Sequence, residues 1–123
     1  MKIIVNNSSM VPIYEQLVEQ IKGMIVRGEL GADTALPSVR ILSKELRISA
    51  LTVKKAYDAL EEAGLVKTVH GKGTFVTEAN RNLMREEQIR EVEGLLEDAL
   101  RRGRIYGLDT EELRAIFEIL LEK

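Results

Sequence analysis

Between Leu36 and Val76 the chain reads LPSVRILSKELRISALTVKKAYDALEEAGLVKTVHGKGTFV, and the spacing of its apolar residues changes partway along. Val39, Leu42 and Leu46 recur at helical spacing, with Arg40 and Lys44 pointing the other way. Val53, Ala56, Tyr57, Leu60 and Ala63 repeat the pattern on a more regular face. Ser38 and Ser49 stand just before these two runs, where a hydroxyl oxygen can accept from a free first-turn N–H. Only Arg47, Ile48 and Ser49 separate the helices. Gly64 then stops the second one, and the period shortens. Leu65 to Val69 and Thr74 to Val76 read as two strands closing on a tip of His70, Gly71, Lys72 and Gly73. Two short helices at a tight turn followed by such a hairpin make a winged helix-turn-helix. The expected fold class is mainly α with a small β-hairpin.

The flanking segments complete the outline. Lys2 to Val5, KIIV, is a short β-branched run that suits an edge strand, with a frayed terminus as the alternative. Pro12 opens a helix, since its fixed φ suits the first turn and its missing N–H is not needed there. Ile13, Leu17, Ile21, Met24 and Ile25 form its buried stripe, and Gly28 ends it. Glu29 to Leu36 reads as a connector, with Gly31, Asp33 and Thr34 as loop formers. Beyond the hairpin, Leu83, Ile89, Val92, Leu95, Leu96, Ala99 and Leu100 mark a helix from Asn80 to Arg102, stopped at Gly103. A last helix begins at Asp109, where Asp109 and Glu112 have capping-box spacing and Leu108 and Leu113 that of a hydrophobic staple. The expected domains are 1–77, the winged helix-turn-helix, and 78–123, a two-helix tail.

Composition excludes several classes of function. With no cysteine and one histidine among 123 residues, disulfides, thiolate metal sites and most imidazole constellations are ruled out, so neither a metal nor a cofactor is expected. No nucleophile–base pair or phosphate-binding glycine loop suggests an enzyme; GKGT lacks the P-loop spacing and sits in a hairpin. No apolar run approaches the roughly 20 residues that span a bilayer, and MKIIVNNSS lacks a signal-peptide core. The reading is a cytoplasmic protein with no membrane association. The net charge of −2 conceals an asymmetry: residues 1–77 carry ten basic and eight acidic side chains, residues 78–123 eight and twelve. Residues 38–76 hold seven basic and four acidic, the sign that a phosphate backbone attracts.

That layout suits double-stranded DNA. A helix about 10 to 12 Å across fits a major groove roughly 12 Å wide. Entry by the N-terminal end brings free N–H groups and short side chains to the bases and phosphates. Ser49, Ala50 and Thr52 are small, Lys54 and Lys55 follow one turn later, and Arg40 on the preceding helix can reach the backbone or a guanine edge. In the hairpin, Gly71 and Gly73 let the backbone approach a narrow groove while His70 and Lys72 offer donors. Each feature also has a plainer use: a solvated helix face for Arg40, Lys54 and Lys55, and a surface turn for His70. Tyr57 and Phe75 are expected to pack in the core and hairpin.

The motifs LPSVRxLSKEL, TVxxAYxxLExxGL and GKGTFV, in this order after PIYEQLVEQIKGMIVRGEL, resemble the DNA-binding domain of GntR-family bacterial transcription regulators over about residues 10 to 77. The resemblance implies a dimer on a palindromic operator. It also implies that Arg40, Ser49, Ala50, Thr52, Lys54, His70, Gly71 and Lys72 contact DNA. Three departures qualify it. Ser38 is followed by Ile41 where a glutamate would complete a capping box; Arg47 stands where the turn commonly has glycine; and Ala50 and Leu51 replace longer polar readers. An alanine can make only an apolar contact, most naturally with a thymine methyl.

The short tail is similar to the family's YtrA-like branch, in which two helices replace a large effector domain. Two amphipathic helices in some 45 residues enclose little by themselves, so Ile89, Val92, Leu96, Leu100, Leu113, Ile116, Phe117 and Leu120 are expected to pair with the same residues of a second subunit. Gly94, within the first of these helices, is read as a point of close approach or as incidental. The function expected is that of a homodimeric repressor on an inverted-repeat operator. The alternative is a winged-helix module that binds another protein. The sequence does not reveal the operator, the regulated genes or any small-molecule effector.

Overall fold

Val53, Ala56, Tyr57 and Leu60 are all buried on α3 (Ala50–Glu62) in the computed structural model, which describes residues 1–78 and 81–123. Around α3 pack α1 (Ile13–Val26), α2 (Val39–Leu46) and the hairpin strand β1 (Val66–Val69), which pairs with β2 (Gly73–Val76). The fully buried side chains come from all of them: Leu17 and Ile21 of α1, Leu42 of α2, Val53 and Leu60 of α3, Val66 and Val76 of the strands. The tail consists of α4 (Arg81–Ile105) and α5 (Thr110–Leu121). The described residues group into two units, Met1–Arg81 and Asn82–Lys123.

Helix ends follow from local chemistry. Ser38 and Ser49 accept hydrogen bonds from Ile41 N and Thr52 N at 3.1 and 3.0 Å, capping α2 and α3 as their positions predict. With Ile41 at the third helical position, the cap of α2 is one-sided. The C-termini of α1, α3 and α4 close alike: the N–H beyond Gly28, Gly64 and Gly107 reaches back to the carbonyls of Met24, Leu60 and Gly103 at 2.9 to 3.0 Å. In α2 the corresponding bond runs from Ile48 N to Ser43 O, and the left-handed residue is Arg47, at φ 57° and ψ 46°. The turn therefore keeps a positive φ although arginine stands where glycine is common. Ala63, read as part of the buried face of α3, is instead exposed at the helix end.

Strands β1 and β2 pair antiparallel, Val66 with Val76 through Val69 with Gly73, so Gly73 belongs to the second strand and the turn is His70, Gly71 and Lys72. Lys72 N donates to Val69 O at 2.9 Å, and Gly71 has φ 76°, the positive value that a type II turn needs at its third residue. The connector is more ordered than a loop. Asp33 N donates to Val76 O, Val76 N to Thr34 O and Leu36 N to Thr74 O, all at 2.8 to 2.9 Å, and Ala35 bridges Phe75. The connector thus covers the free edge of β2.

The N-terminal run forms no strand. It lies along α1, and glutamine amides take the place of a partner's backbone. Gln20 accepts from Ile4 N and donates to Ile4 O, while Gln16 accepts from Asn6 N and donates to Asn6 O and Val11 O, all at 2.7 to 3.0 Å. Gln16 is 8% exposed, and its amide is satisfied by those bonds. Ile3, in the same run, is buried.

In the tail, α4 does not stop at Gly103. It runs on to Ile105, and Gly107, at φ 88°, provides the turn. Gly103 is a helical residue chosen for its lack of bulk: a Cβ there would lie 2.5 Å from Leu113 Cδ2 and 3.6 Å from Leu108 Cδ1. The pair expected to form a hydrophobic staple therefore meets at Gly103, where α5 folds back against α4. Asp109 and Glu112 form the full capping box, with bonds of 2.9 and 3.2 Å. Asn80, the expected start of this helix, lies outside the described residues.

Candidate nucleic-acid interface

The first residues of α3 put small and apolar side chains in solvent. Ser49, Ala50 and Leu51 are exposed and Thr52 is half-buried. The Ser49 hydroxyl is already engaged: besides capping Thr52 N it shares a hydrogen bond with Thr52 Oγ1 at 2.7 Å. The two hydroxyls are held by each other, and between them one proton and two lone pairs are left over for an incoming group. On the wheel, Leu51, Lys54, Lys55 and Asp58 form one outward stripe at i, i+3, i+4 and i+7, opposite the buried Val53, Ala56, Tyr57 and Leu60.

The two lysines of that stripe differ. Lys54 Nζ forms a salt bridge with Asp58 at 2.9 Å, with both side chains mostly in solvent. Such an exposed pair contributes little and yields readily to a stronger anion. The ammonium of Lys55 lies 3.9 Å from the centroid of the Tyr14 ring, which ties it to α1 by a cation–π contact. Arg40 is exposed in the first turn of α2 and makes no ion pair among the described residues. His70, Gly71 and Lys72 are all exposed at the end of the hairpin. Among the described residues, no group of carboxylate and imidazole side chains could hold a metal ion.

Tyr57 fixes the platform. Its hydroxyl donates to Pro37 O at 2.7 Å, tying α3 to the residue just before the cap of α2. Burial, and secondarily the nearby Glu45 carboxylate, raises its pKa well above the ordinary tyrosine range, so it remains a donor throughout the physiological range. Two apolar side chains absent from the sequence-based contacts also stand in solvent: Leu51, 77% exposed, and Ile41, 50% exposed. A large hydrophobe outside the apolar period, at the second or third position of a capped helix, was the available signal for both.

The residues expected to mediate dimerisation lie on the tail, within one unit. Leu96 and Leu100 of α4 and Leu113, Ile116, Phe117 and Leu120 of α5 line a common groove of about 450 Å³. Ile89 and Val92 lie further toward the start of α4, exposed and outside the groove. No residue of α5 is buried, and a Cβ at Gly94 would meet nothing within 4 Å. Among the described residues, no helix is long and apolar enough to cross a membrane.

Residues 13–76 match the family model described as "Bacterial regulatory proteins, gntR family". The HTH-type transcriptional repressor YtrA of Bacillus subtilis is 31% identical over 105 residues, spanning 85% of this chain and 81% of its own length, so the likeness reaches beyond the winged helix into the tail. Among solved structures, a transcriptional antiterminator from Listeria monocytogenes EGD-e superposes with a TM-score of 0.74 at 29% identity, covering 98% of this chain and 90% of that one. The DNA-binding domain of AraR, solved in complex with operator ORX1, gives 0.56 at 30% identity over 63% of this chain and 96% of that domain. By its capped α2–α3 pair, its wing and these likenesses, the chain belongs to the GntR family of bacterial regulatory proteins and is a DNA-binding regulator of transcription, not an enzyme.

Proposed function

We propose that the protein is a homodimeric cytoplasmic repressor that occupies an inverted-repeat operator and so blocks transcription. Residues 1–77 read DNA, and residues 78–123 hold two copies together. The observation that carries this reading is the pairing, in one chain, of a GntR-type winged helix with a tail helix, α5, that buries none of its side chains. Such a helix needs a partner surface, and a two-fold partner turns one reading head into two. YtrA, itself a repressor, supports the direction of regulation.

In this scheme Ser49, Ala50, Thr52 and Lys54 enter the major groove, with Lys54 exchanging Asp58 for a phosphate. Arg40 reaches the backbone or a guanine edge, and His70, Gly71 and Lys72 meet the neighbouring groove. Lys55 reaches DNA only by leaving the Tyr14 ring. Fluorescence anisotropy against a genomic fragment library tests the scheme. At least one fragment is expected to bind far more tightly than random duplex, with affinity falling linearly against salt on a log–log plot. Arg40→Ala is expected to weaken that complex by about 1 to 3 kcal/mol without lowering the melting temperature. Failure of every fragment to exceed random duplex would exclude a specific operator and favour a protein-binding winged helix.

A further inference from the structure

We propose that Leu51 is a specificity-determining residue that reads the C5-methyl group of a thymine in the major groove. The inference rests on the DNA-reading role above and deepens it. Leu51 is the second residue of α3 and 77% exposed, and the core beneath it is complete without it, since Val53, Ala56, Tyr57 and Leu60 are buried on the opposite face. It leads the outward stripe that continues with Lys54, Lys55 and Asp58, so a backbone held by a lysine of that stripe brings base edges to Leu51.

The polar side chains nearby each have a partner within the chain. Ser49 and Thr52 bond to each other, Lys54 to Asp58, and Lys55 to the face of Tyr14. Beside the first-turn N–H groups, what the leading end of the helix presents is alkyl surface, from Ala50 and far more from Leu51. The major groove offers such a side chain one apolar counterpart, the methyl of thymine; the other base edges present hydrogen-bonding groups that leucine cannot satisfy. A leucine set against a donor or acceptor would leave that group desolvated and unpaired, so the same side chain that favours thymine rejects the alternatives.

The test uses the full chain and a duplex recovered by selection from a random pool. Each thymine of the recovered site is replaced in turn by deoxyuridine, which removes only the methyl, and affinities are measured for the wild-type protein and Leu51→Ala. One thymine in each half-site is expected to weaken wild-type binding about fourfold when its methyl is lost, the effect of withdrawing one buried carbon from apolar contact. Leu51→Ala, folded by circular dichroism, is expected to bind the thymine and deoxyuridine duplexes equally at that position. A site with no methyl-sensitive thymine overturns the inference and leaves the regulator reading intact. So does methyl sensitivity that survives in Leu51→Ala, which would assign the contact to Ala50 or Ile41. Recovery of no preferred site overturns both readings.

Discussion

Arg47 holds a left-handed backbone conformation that an L-residue with a side chain reaches at a cost of roughly 1 to 2 kcal/mol. Its side chain is exposed and makes no ion pair among the described residues, so nothing in the folded chain offsets the cost. Glycine would remove it while adding freedom to the unfolded chain worth about 0.5 to 1 kcal/mol. Arg47→Gly is therefore expected to stabilise the winged helix by something under about 1 kcal/mol, a rise of a few degrees in melting temperature by calorimetry. An unchanged or lower melting temperature would show that the arginine side chain compensates for its backbone. At this scale the sequence was legible wherever a residue acts on its own neighbours. Ser38, Ser49 and the Asp109–Glu112 box do locally what their spacing indicates. Gln16 and Gln20 were not legible, because their partners are backbone groups ten and sixteen residues away and their own helical spacing resembles that of any solvated face.

At the scale of elements, periodicity located the helices of the winged domain and both strands but misplaced the end of α4 and set the start of each strand one residue off. Gly103 and Gly107 lie four apart, and either could end α4; the choice depends on the position of Leu113, which a local pattern does not encode. Gly103 has a packing role with a measurable consequence. Alanine in a helix is worth about 1 kcal/mol over glycine, but here its methyl would displace Leu113, so Gly103→Ala is expected to forfeit most of that gain. Gly103→Val, with more bulk and poorer helix propensity, is expected to destabilise the α4–α5 turn by roughly 1 to 3 kcal/mol, read from urea unfolding. A valine variant as stable as the parent would mean that Leu113 has an equally good place elsewhere. The connector was likewise misread as a loop because its bonds to β2 join segments about forty residues apart.

For the whole molecule, the tail poses the main energetic question. Periodicity foresaw its apolar residues, yet period alone does not say what covers them, and within one chain most remain in water: Phe117 is 46% exposed and Leu120 57%. If a second copy covers the groove, a charge in it disrupts assembly and, with it, simultaneous engagement of two half-sites. Phe117→Glu is expected to sediment as a monomer. It is also expected to lose operator affinity on the order of a hundredfold or more, the loss of effective concentration, while the winged domain melts as before. A dimer that persists in this variant would place the contact elsewhere.

The hydrogen bonds between the connector and β2 have a mechanical consequence. Thr74 and Val76 are fastened to Leu36, Thr34 and Asp33, and the next residue along, Pro37, accepts the hydroxyl proton of Tyr57 from within α3. The hairpin and α3 are thus joined through short bonds as well as through the chain between them. In the proposed scheme they would act as the two jaws of a preset caliper, and duplexes would be sorted by whether their groove spacing fits the opening.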